Sequence, residues 1–356
     1  MSTHQNYKSI EYQKCDDYLR TAVGESKLSV HEKRPFKSTS LVVTEGFEER
    51  SVGVLELFAR AGIKLATVVV NRYPDKTGPN AKYHERFNRA AEKVDPGHWS
   101  EVDYDYGGLW LSEALRRITS ERVILDITGI STRGLFGAFD LAANSGRNFS
   151  IAYTEAQVYW PRKSDWRKLA LGLSGHRTLA EIVDEKPWLF GYDHQVALIP
   201  GHEGYDSAGS ERALVGFLPF KCARLAAVLG EEDYAEFLFI AGQPKLAKNY
   251  WRLEALKRIN EDIVGGREVI TIPTFGYRRV LAELARQLFV ERPLLERYNV
   301  HLAILGSKLQ TLACWCLSCI VPSVTIVTSA PARYFPEAFS DGIGTKSIFP
   351  LARPGT

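Results

Sequence analysis

Apolar, β-branched runs of about five to seven residues alternate with segments of helical spacing along most of the chain. That alternation constrains the fold more than any other feature. TSLVVTE (39–45), KLATVVVN (64–71), RVILDIT (122–128) and NFSIAYTE (148–155) read as strands. SVGVLELFARAG, KYHERFNRAAEKV, LWLSEALRRITSE and LFGAFDLAANSG read as the helices between them. Strands buried on both faces lose the in–out alternation and become continuous apolar runs, so this pattern points to a parallel sheet covered on both sides. After residue 193 the alternation resumes. HQVALIP, EFLFIAG, REVITIP, NVHLAIL and PSVTIVT read as strands; ERALVGFLPFKCARLAAVLG, NYWRLEALKRINEDIV, YRRVLAELARQLF and LQTLACWCLSCI read as helical or mostly helical.

The two halves match each other in order. VVTEGFEERSVGVLELF pairs with ALIPGHEGYDSAGSERALVGFL, setting Arg50 against Arg212. Further along, Tyr83 pairs with Tyr250, Gly107 with Gly276, Gly129 with Gly306 and Tyr159 with Tyr334, at offsets of 162, 167, 169, 177 and 175. A chain of 356 residues also exceeds the roughly 250–300 that one hydrophobic core supports. The expected architecture is α/β: two tandem Rossmann-like parallel-sheet units forming an internal pseudo-dimer. The expected divisions are a polar N-terminal segment (1–37), a first repeat (38–160), a charged connector bounded by Pro161 and Pro187 (161–193) and a second repeat (194–356).

Composition excludes several classes. Hydrophobic residues make up 45% and charged residues 24%, with a net charge of +3, which suits a globular protein with room for a local basic pocket and not a general nucleic-acid coat. The N-terminus lacks the basic and apolar regions of a signal peptide. Pro322 and polar residues interrupt the longest greasy stretch, so no membrane span and no membrane partner are expected, and the expected location is cytoplasmic. Five cysteines are too few for a disulfide framework. Cys314, Cys316 and Cys319 have no accompanying Cys/His pair at zinc-site spacing, and they read as buried small apolar residues. His84-Glu85 lacks the second histidine of a zincin helix; Walker A, complete GxGxxG and GxSxG patterns are all missing. No cofactor is expected.

The chemistry-bearing stretches are ILDITGISTRG (124–134) and AILGSKLQ (303–310), each running from a strand into a helix. In open α/β sheets, ligands sit beyond the carboxyl ends of the strands. A loop at that place offers backbone N–H groups, hydroxyls and the positive end of a helix dipole to an anion. Arg133 and Lys308 add full charges, and Gly46, Gly129 and Gly306 permit close backbone approach. The candidate ligand-binding set is therefore Gly46, Arg50, Asp126, Thr128, Gly129, Ser131, Thr132, Arg133, Arg212, Gly306, Ser307 and Lys308. Two roles stay open for several of them. Ser131 fits an anion contact or a plain helix cap. Asp126 fits a ligand contact or a bond to neighbouring backbone. Tyr159 and Tyr334 fit base stacking or packing at a sheet edge, and Glu48 with Glu49 fits a solvated helix start.

DITGISTRG and LGSKLQTLA resemble the strand-end signature of CARF domains, the CRISPR-associated Rossmann-fold sensors, and TEGFEER sits where those domains place a second ligand loop. Two such modules in one chain also resemble SAVED domains. The resemblance spans residues 39–160 and 194–345, but its specific part is about ten residues per half. Ile130-Ser131 and Arg133 depart from the family's Gly-Thr and Lys, and Ala303 and Leu305 replace the polar strand end in the second half. Binding that is asymmetric, or lost in one half, is compatible with those departures. The resemblance implies a cytoplasmic sensor of cyclic oligonucleotides, or another phosphate-bearing ligand, in antiviral defence, acting on a separate effector polypeptide. Two other classes remain: a phosphodiesterase that cleaves the bound ring, and a ligand-free scaffold subunit. Non-enzymatic binding is the expectation because His202, in the Gly loop of the second half, has no evident orienting partner.

Overall fold

The computed structural model describes residues 3–29, 36–74, 78–95, 98–105, 107–174, 192–333, 335 and 339–354. Two compact units emerge. The first comprises Ala22–Trp160 with Phe339–Arg353, and the second Met1–Thr21, Pro161–Ala338 and Pro354–Thr356.

In the first unit the strands are β1 (Ser26–Lys27), β2 (Thr39–Glu45), β3 (Thr67–Arg72), β4 (Ser100–Asp103), β5 (Arg122–Asp126), β6 (Asn148–Thr154) and β15 (Lys346–Pro350). They form one sheet in the order β1-β15-β6-β5-β2-β3-β4. The five from β6 to β4 run parallel; β15 joins antiparallel to β6, and β1 antiparallel to β15. Helices α2 (Gly53–Arg60), α3 (His84–Val94), α4 (Leu109–Arg116) and α5 (Thr132–Asn144) make the crossovers. Every residue of β2 is buried, as expected for a central strand covered on both faces. Leu41, Val43, Val68 and Val70 pack with Leu55 and Phe58 of α2 and Phe87 of α3. Short strands β7 (Val158–Tyr159) and β14 (Ser340–Asp341) pair as a separate ribbon.

The second unit repeats this plan. Its strands are β8 (Tyr192–Leu198), β9 (Arg212–Phe217), β10 (Glu236–Gln243), β11 (Val269–Pro273), β12 (Asn299–Ala303) and β13 (Thr325–Arg333). The order is β11-β10-β9-β12-β13-β8, parallel from β11 to β13, with β8 antiparallel at the edge. Its helices are α1 (Thr3–Thr21), α6 (Lys163–Ser174), α7 (Ala223–Glu231), α8 (Trp251–Ile259), α9 (Glu261–Val264), α10 (Tyr277–Ala285) and α11 (Lys308–Ile320). The five parallel strands of each sheet follow one order, β6-β5-β2-β3-β4 matching β13-β12-β9-β10-β11, while the antiparallel neighbour is the last strand of the first unit and the first of the second; two tandem Rossmann-like units fit this plan.

Four sequence expectations change. Residues 212–217 form the central strand β9 and not the start of a helix; a fully buried parallel strand and a buried helix share the same unbroken apolar run. The counterpart of β2 is therefore β9, and the pairing of Arg50 with Arg212 fails. The N-terminal segment is not a division of its own: α1 belongs to the second unit, where Cys15 and Tyr18 are buried, and β1 to the first. Finally, residues 339–353 leave the second repeat, because β15 completes the first sheet beside β6. Part of the expected connector, 175–191, lies outside the described residues, as does Tyr334.

Candidate functional site

All parallel strands of a unit end at one edge, so the loops after β2, β3, β4 and β5 meet there. A Cβ on Gly129 would lie 2.0 Å from the Thr44 carbonyl oxygen, and one on Gly46 would lie 3.5 Å from the Gly129 carbonyl oxygen. Only glycine at 129 lets the exit of β5 lie against β2. Asp126 is wholly buried; one oxygen accepts both the Thr128 amide (2.9 Å) and the Thr128 hydroxyl. Thr128 in turn accepts the Thr154 amide at 2.9 Å. Asp126 and Thr128 thus fasten the end of β5 to β6, which is the backbone-bonding alternative left open above.

Ser131 caps α5: its hydroxyl accepts the Gly134 amide at 3.2 Å and lies 2.8 Å from the Tyr104 hydroxyl. Thr132 is half-buried and Arg133 exposed at the same helix start. Arg50 is engaged within the protein. Its guanidinium is buried and donates twice to Glu48 (2.9 and 3.0 Å), to the Tyr153 hydroxyl (2.9 Å) and to the Thr154 carbonyl (3.1 Å). The rings of Tyr153 and Tyr159 flank it at 5.6 and 5.5 Å. Burial alone pulls its pKa down, but Glu48 and the two tyrosines outweigh that and raise it well above the ordinary value. Tyr159 is thereby a packing residue, and Glu48 is no solvated helix start. Glu49 pairs with Arg86 at 2.7 Å.

A polar cluster that sequence reasoning missed stands at the ends of β2 and β3. Glu45 and Arg72, neighbours in register, form a buried ion pair. Arg72 also donates to Asn88 (2.5 Å) and Glu101 (2.7 Å) and contacts His84 Nδ1. His84 Nδ1 lies 3.5 Å from Glu45 Oε1, and its ring is about half-exposed. Burial raises the Glu45 pKa, with Arg72 and His84 opposing. The signal was available: LVVTE and VVVNR are adjacent apolar runs that both end in a charge.

At the carboxyl edge of the second unit, Ser307 caps α11 in a capping box: its hydroxyl accepts the Gln310 amide, and Gln310 Oε1 accepts the Ser307 amide at 2.8 Å. The Ser307 hydroxyl also donates to the Thr274 carbonyl (2.9 Å), and the Thr274 amide donates to the Gln243 carbonyl (2.9 Å). A Cβ on Gly306 would lie 2.4 Å from Gln310 Oε1 and displace the side chain that closes the capping box. Lys308 is half-buried at the first position of α11. Arg212 does not belong to this edge. It begins β9 at the opposite, amino edge, paired with Asp206 (2.7 Å) and Glu232 (2.9 Å). His202 is there too: β8 runs antiparallel, so its exit loop emerges beside the start of β13, where the Ile326 amide donates to the His202 carbonyl. The His202 ring is buried against the Ser318 hydroxyl at 2.8 Å.

Cys15, Cys222, Cys314 and Cys316 are buried, and burial raises the thiol pKa of Cys15 and Cys222 to about 12. Among the described residues there is no group of three or more His, Cys, Asp and Glu placed to hold a metal, and no helix long and apolar enough to cross a membrane. Of the predicted set, Gly46, Gly129, Thr132 and Arg133 stand together at one carboxyl edge, beside the Ser131 cap, and Gly306, Ser307 and Lys308 at the other. Each edge can present a cation, helix N–H groups and a closely approaching glycine to an anion.

No protein-family model and no curated protein matches the chain. Among solved structures it is similar to a DNA nuclease of type III CRISPR defence activated by cyclic oligoadenylate, at 12% identity and a TM-score of 0.46, covering 78% of this chain and 64% of that one. Can2 from Sulfobacillus thermosulfidooxidans, in complex with cyclic tetra-adenylate, matches at 17% identity and a TM-score of 0.25, covering 45% of this chain and 55% of that one. A universal stress protein from Archaeoglobus fulgidus matches at 12% identity and a TM-score of 0.24, covering 82% and 96%. The chain thus spans less than two thirds of the length of either of the first two.

Proposed function

We propose that this chain is a sensor that binds a cyclic oligonucleotide at the carboxyl-edge loops of two Rossmann-like units, paired as an internal pseudo-dimer, and passes the signal to a separate effector polypeptide of an antiviral defence system. The observation that carries this reading is the recurrence of one edge chemistry in two sheets of one order. In each, a strand exits through glycine into a serine-capped helix with a cation in its first turn, Arg133 or Lys308. A ring of repeated phosphates is the ligand class that meets such a repeated site. Phosphates accept from N–H groups at helix starts and pair with Arg or Lys. The test is calorimetry of the full chain with cyclic di-, tri-, tetra- and hexanucleotides, together with mass spectrometry of small molecules that co-purify. The reading stands if one ring binds tightly and saturably; it falls if none does.

One observation favours a second reading, cleavage of the ring. His84 stands beside Glu45 and Arg72 at the carboxyl edge, its Nδ1 3.5 Å from a Glu45 carboxylate oxygen; in the tautomer that places the proton on Nδ1 toward Glu45, Nε2 is the base. In that reaction the 2′-hydroxyl loses its proton to His84, its oxygen bonds to phosphorus, and the 5′-oxygen leaves and takes up a proton. The products are a 2′,3′-cyclic phosphate and a 5′-hydroxyl. Chromatography of ligand incubated with the chain separates the two readings. Turnover abolished by His84→Ala and unaffected by His202→Ala makes the chain an enzyme.

A further inference from the structure

The four parallel strands β9, β10, β11 and β12 deliver their exit loops to one edge of the second unit. Those loops are knitted together. Leu218 donates to the Ile240 carbonyl, Thr274 to Gln243, Ser307 to Thr274, and Gln310 to the Pro273 carbonyl at 3.2 Å. The stretches 218–224, 244–250, 274–279 and 304–308 contain no Asp or Glu. They do contain Lys221, Lys245, Lys248, Arg279 and Lys308, with Arg224 and Arg278 in addition. Those last two are engaged with the carbonyls of Ser329 and Leu19. The corresponding stretches of the first unit are balanced: 46–50, 73–83, 104–108 and 127–133 hold Glu48, Glu49, Asp75 and Asp105 against Arg50, Lys76, Lys82 and Arg133. Arg50 is moreover consumed by Glu48.

The asymmetry is one of placement and not of overall charge. Acids of the second unit gather at the other edge of its sheet: Glu231 and Glu232 at the end of α7, Glu261 and Asp262 after α8, and Glu268 just before β11. Segregation of this kind builds a one-signed field over the carboxyl edge. Aromatic surface lies among the cations. Lys245 Nζ stands 4.1 Å from the centre of the Phe275 ring, and Tyr250 is 46% exposed two residues after Lys248. Cations interleaved with aromatic rings suit single-stranded nucleotide, whose phosphates take the charges and whose bases take the rings.

We infer that the second unit carries the larger share of the phosphate contacts of the nucleotide, through Lys245, Lys248 and Lys308, and that the carboxyl edge of the first unit adds the smaller share, through Arg133. This rests on the sensor reading for the nucleotide, and on the charge distribution alone for phosphate. Both halves depart from the family pattern in sequence, which left open which of them binds; the charge distribution favours the second.

Calorimetry on the full chain tests it with four probes: cyclic tetra-adenylate, linear tetra-adenylate, inorganic tripolyphosphate and tetraglutamate. The variants are K245A/K248A/K308A and, in the first unit, R133A, with circular dichroism to confirm folding. The expected result is that wild type binds the phosphate probes, with cyclic above linear. The triple variant then loses at least about 100-fold, and R133A less than about fivefold. Binding should also weaken with salt less steeply in the triple variant. Unchanged binding in the triple variant, an equal loss in R133A, or no tripolyphosphate binding by wild type overturns the inference. Tetraglutamate bound as tightly as tripolyphosphate overturns the assignment to phosphate. If wild type binds tripolyphosphate and loses it in the triple variant but binds no cyclic ring, the sensor reading fails while the phosphate surface stands.

Discussion

Removing the Arg50 guanidinium would leave the Glu48 carboxylate without its two-pronged partner and strip a donor from both the Tyr153 hydroxyl and the Thr154 carbonyl. Breaking a buried ion pair from one side costs about 3–5 kcal/mol. Arg50→Ala is therefore expected to lower the urea midpoint by that amount of stability; a variant that folds normally and loses only ligand affinity would return Arg50 to the binding set. His301 offers a second residue-level measurement. It is buried on β12 between the Tyr234 hydroxyl (3.2 Å from Nδ1) and Asp206 (3.6 Å from Nε2), with Arg212 and Glu232 nearby. Burial lowers its pKa, and the attraction of Asp206 only partly opposes this. A folded-state pKa below the unfolded value of about 6.5 means that the unfolded chain takes up the proton first. Stability contributed by neutral His301 is complete above that value and is lost as pH falls through it towards the folded pKa. Urea titrations at pH 8 and pH 5 should show a drop that is smaller in His301→Gln; an equal drop in both proteins would exclude His301 as the source.

The antiparallel strand β15, between β6 and the two-residue β1, has Phe349 and Ser347 buried and Lys346 and Ile348 half-buried, the alternation of a strand with one covered face. Phe349→Ala should cost about 3–5 kcal/mol by the usual loss on truncating a buried aromatic, and amide exchange along β6 should accelerate with it. Protection of β6 left unchanged would mean that β15 is dispensable. In the sequence this strand was invisible. KSIFP is five residues ending in proline, and nothing local says that its partner lies some two hundred residues earlier. Strands with long β-branched runs, such as β2, β3 and β13, were legible, whereas β9, with alanine, leucine and glycine around one valine, was not. Direction was hidden as well. Because β8 runs antiparallel, its glycine loop emerges at the amino edge, which took Arg212 and His202 out of the site together. The glycine–serine–cation exits of β5 and β12 were readable because strand, cap and charge are contiguous in the chain. The Glu45–Arg72–His84 cluster was legible only in part: the charged ends of LVVTE and VVVNR are visible in the sequence, but their meeting with each other and with His84 depends on strand register and the start of a helix.

At the scale of the whole chain, each unit depends on residues from beyond its own repeat. The first unit takes β15 from the far C-terminal region, and the second takes α1 from the N-terminus. Helix α1 is a working part of the second unit's core: Cys15 and Tyr18 are buried, the Tyr18 hydroxyl lies 3.4 Å from Cys316 Sγ on α11, and the Leu19 carbonyl accepts from Arg278 on α10. A cut at the natural-looking boundary between Trp160 and Pro161 therefore yields two deficient fragments. Residues 1–160 lack β15 and expose the edge of β6, an unpaired row of N–H and C=O groups that invites aggregation. Residues 161–356 lack α1 and uncover the faces of α10 and α11. Neither fragment is expected to give a cooperative unfolding transition alone. Expressed together, the two should assemble into a one-to-one complex with the far-ultraviolet spectrum of the intact chain, because each supplies the element the other lacks. Size-exclusion chromatography and urea unfolding of the separate and co-expressed fragments make the comparison. If 161–356 unfolded cooperatively by itself with the stability of the intact protein, α1 would be an appendage, and the dependence argued here would hold for the first unit only.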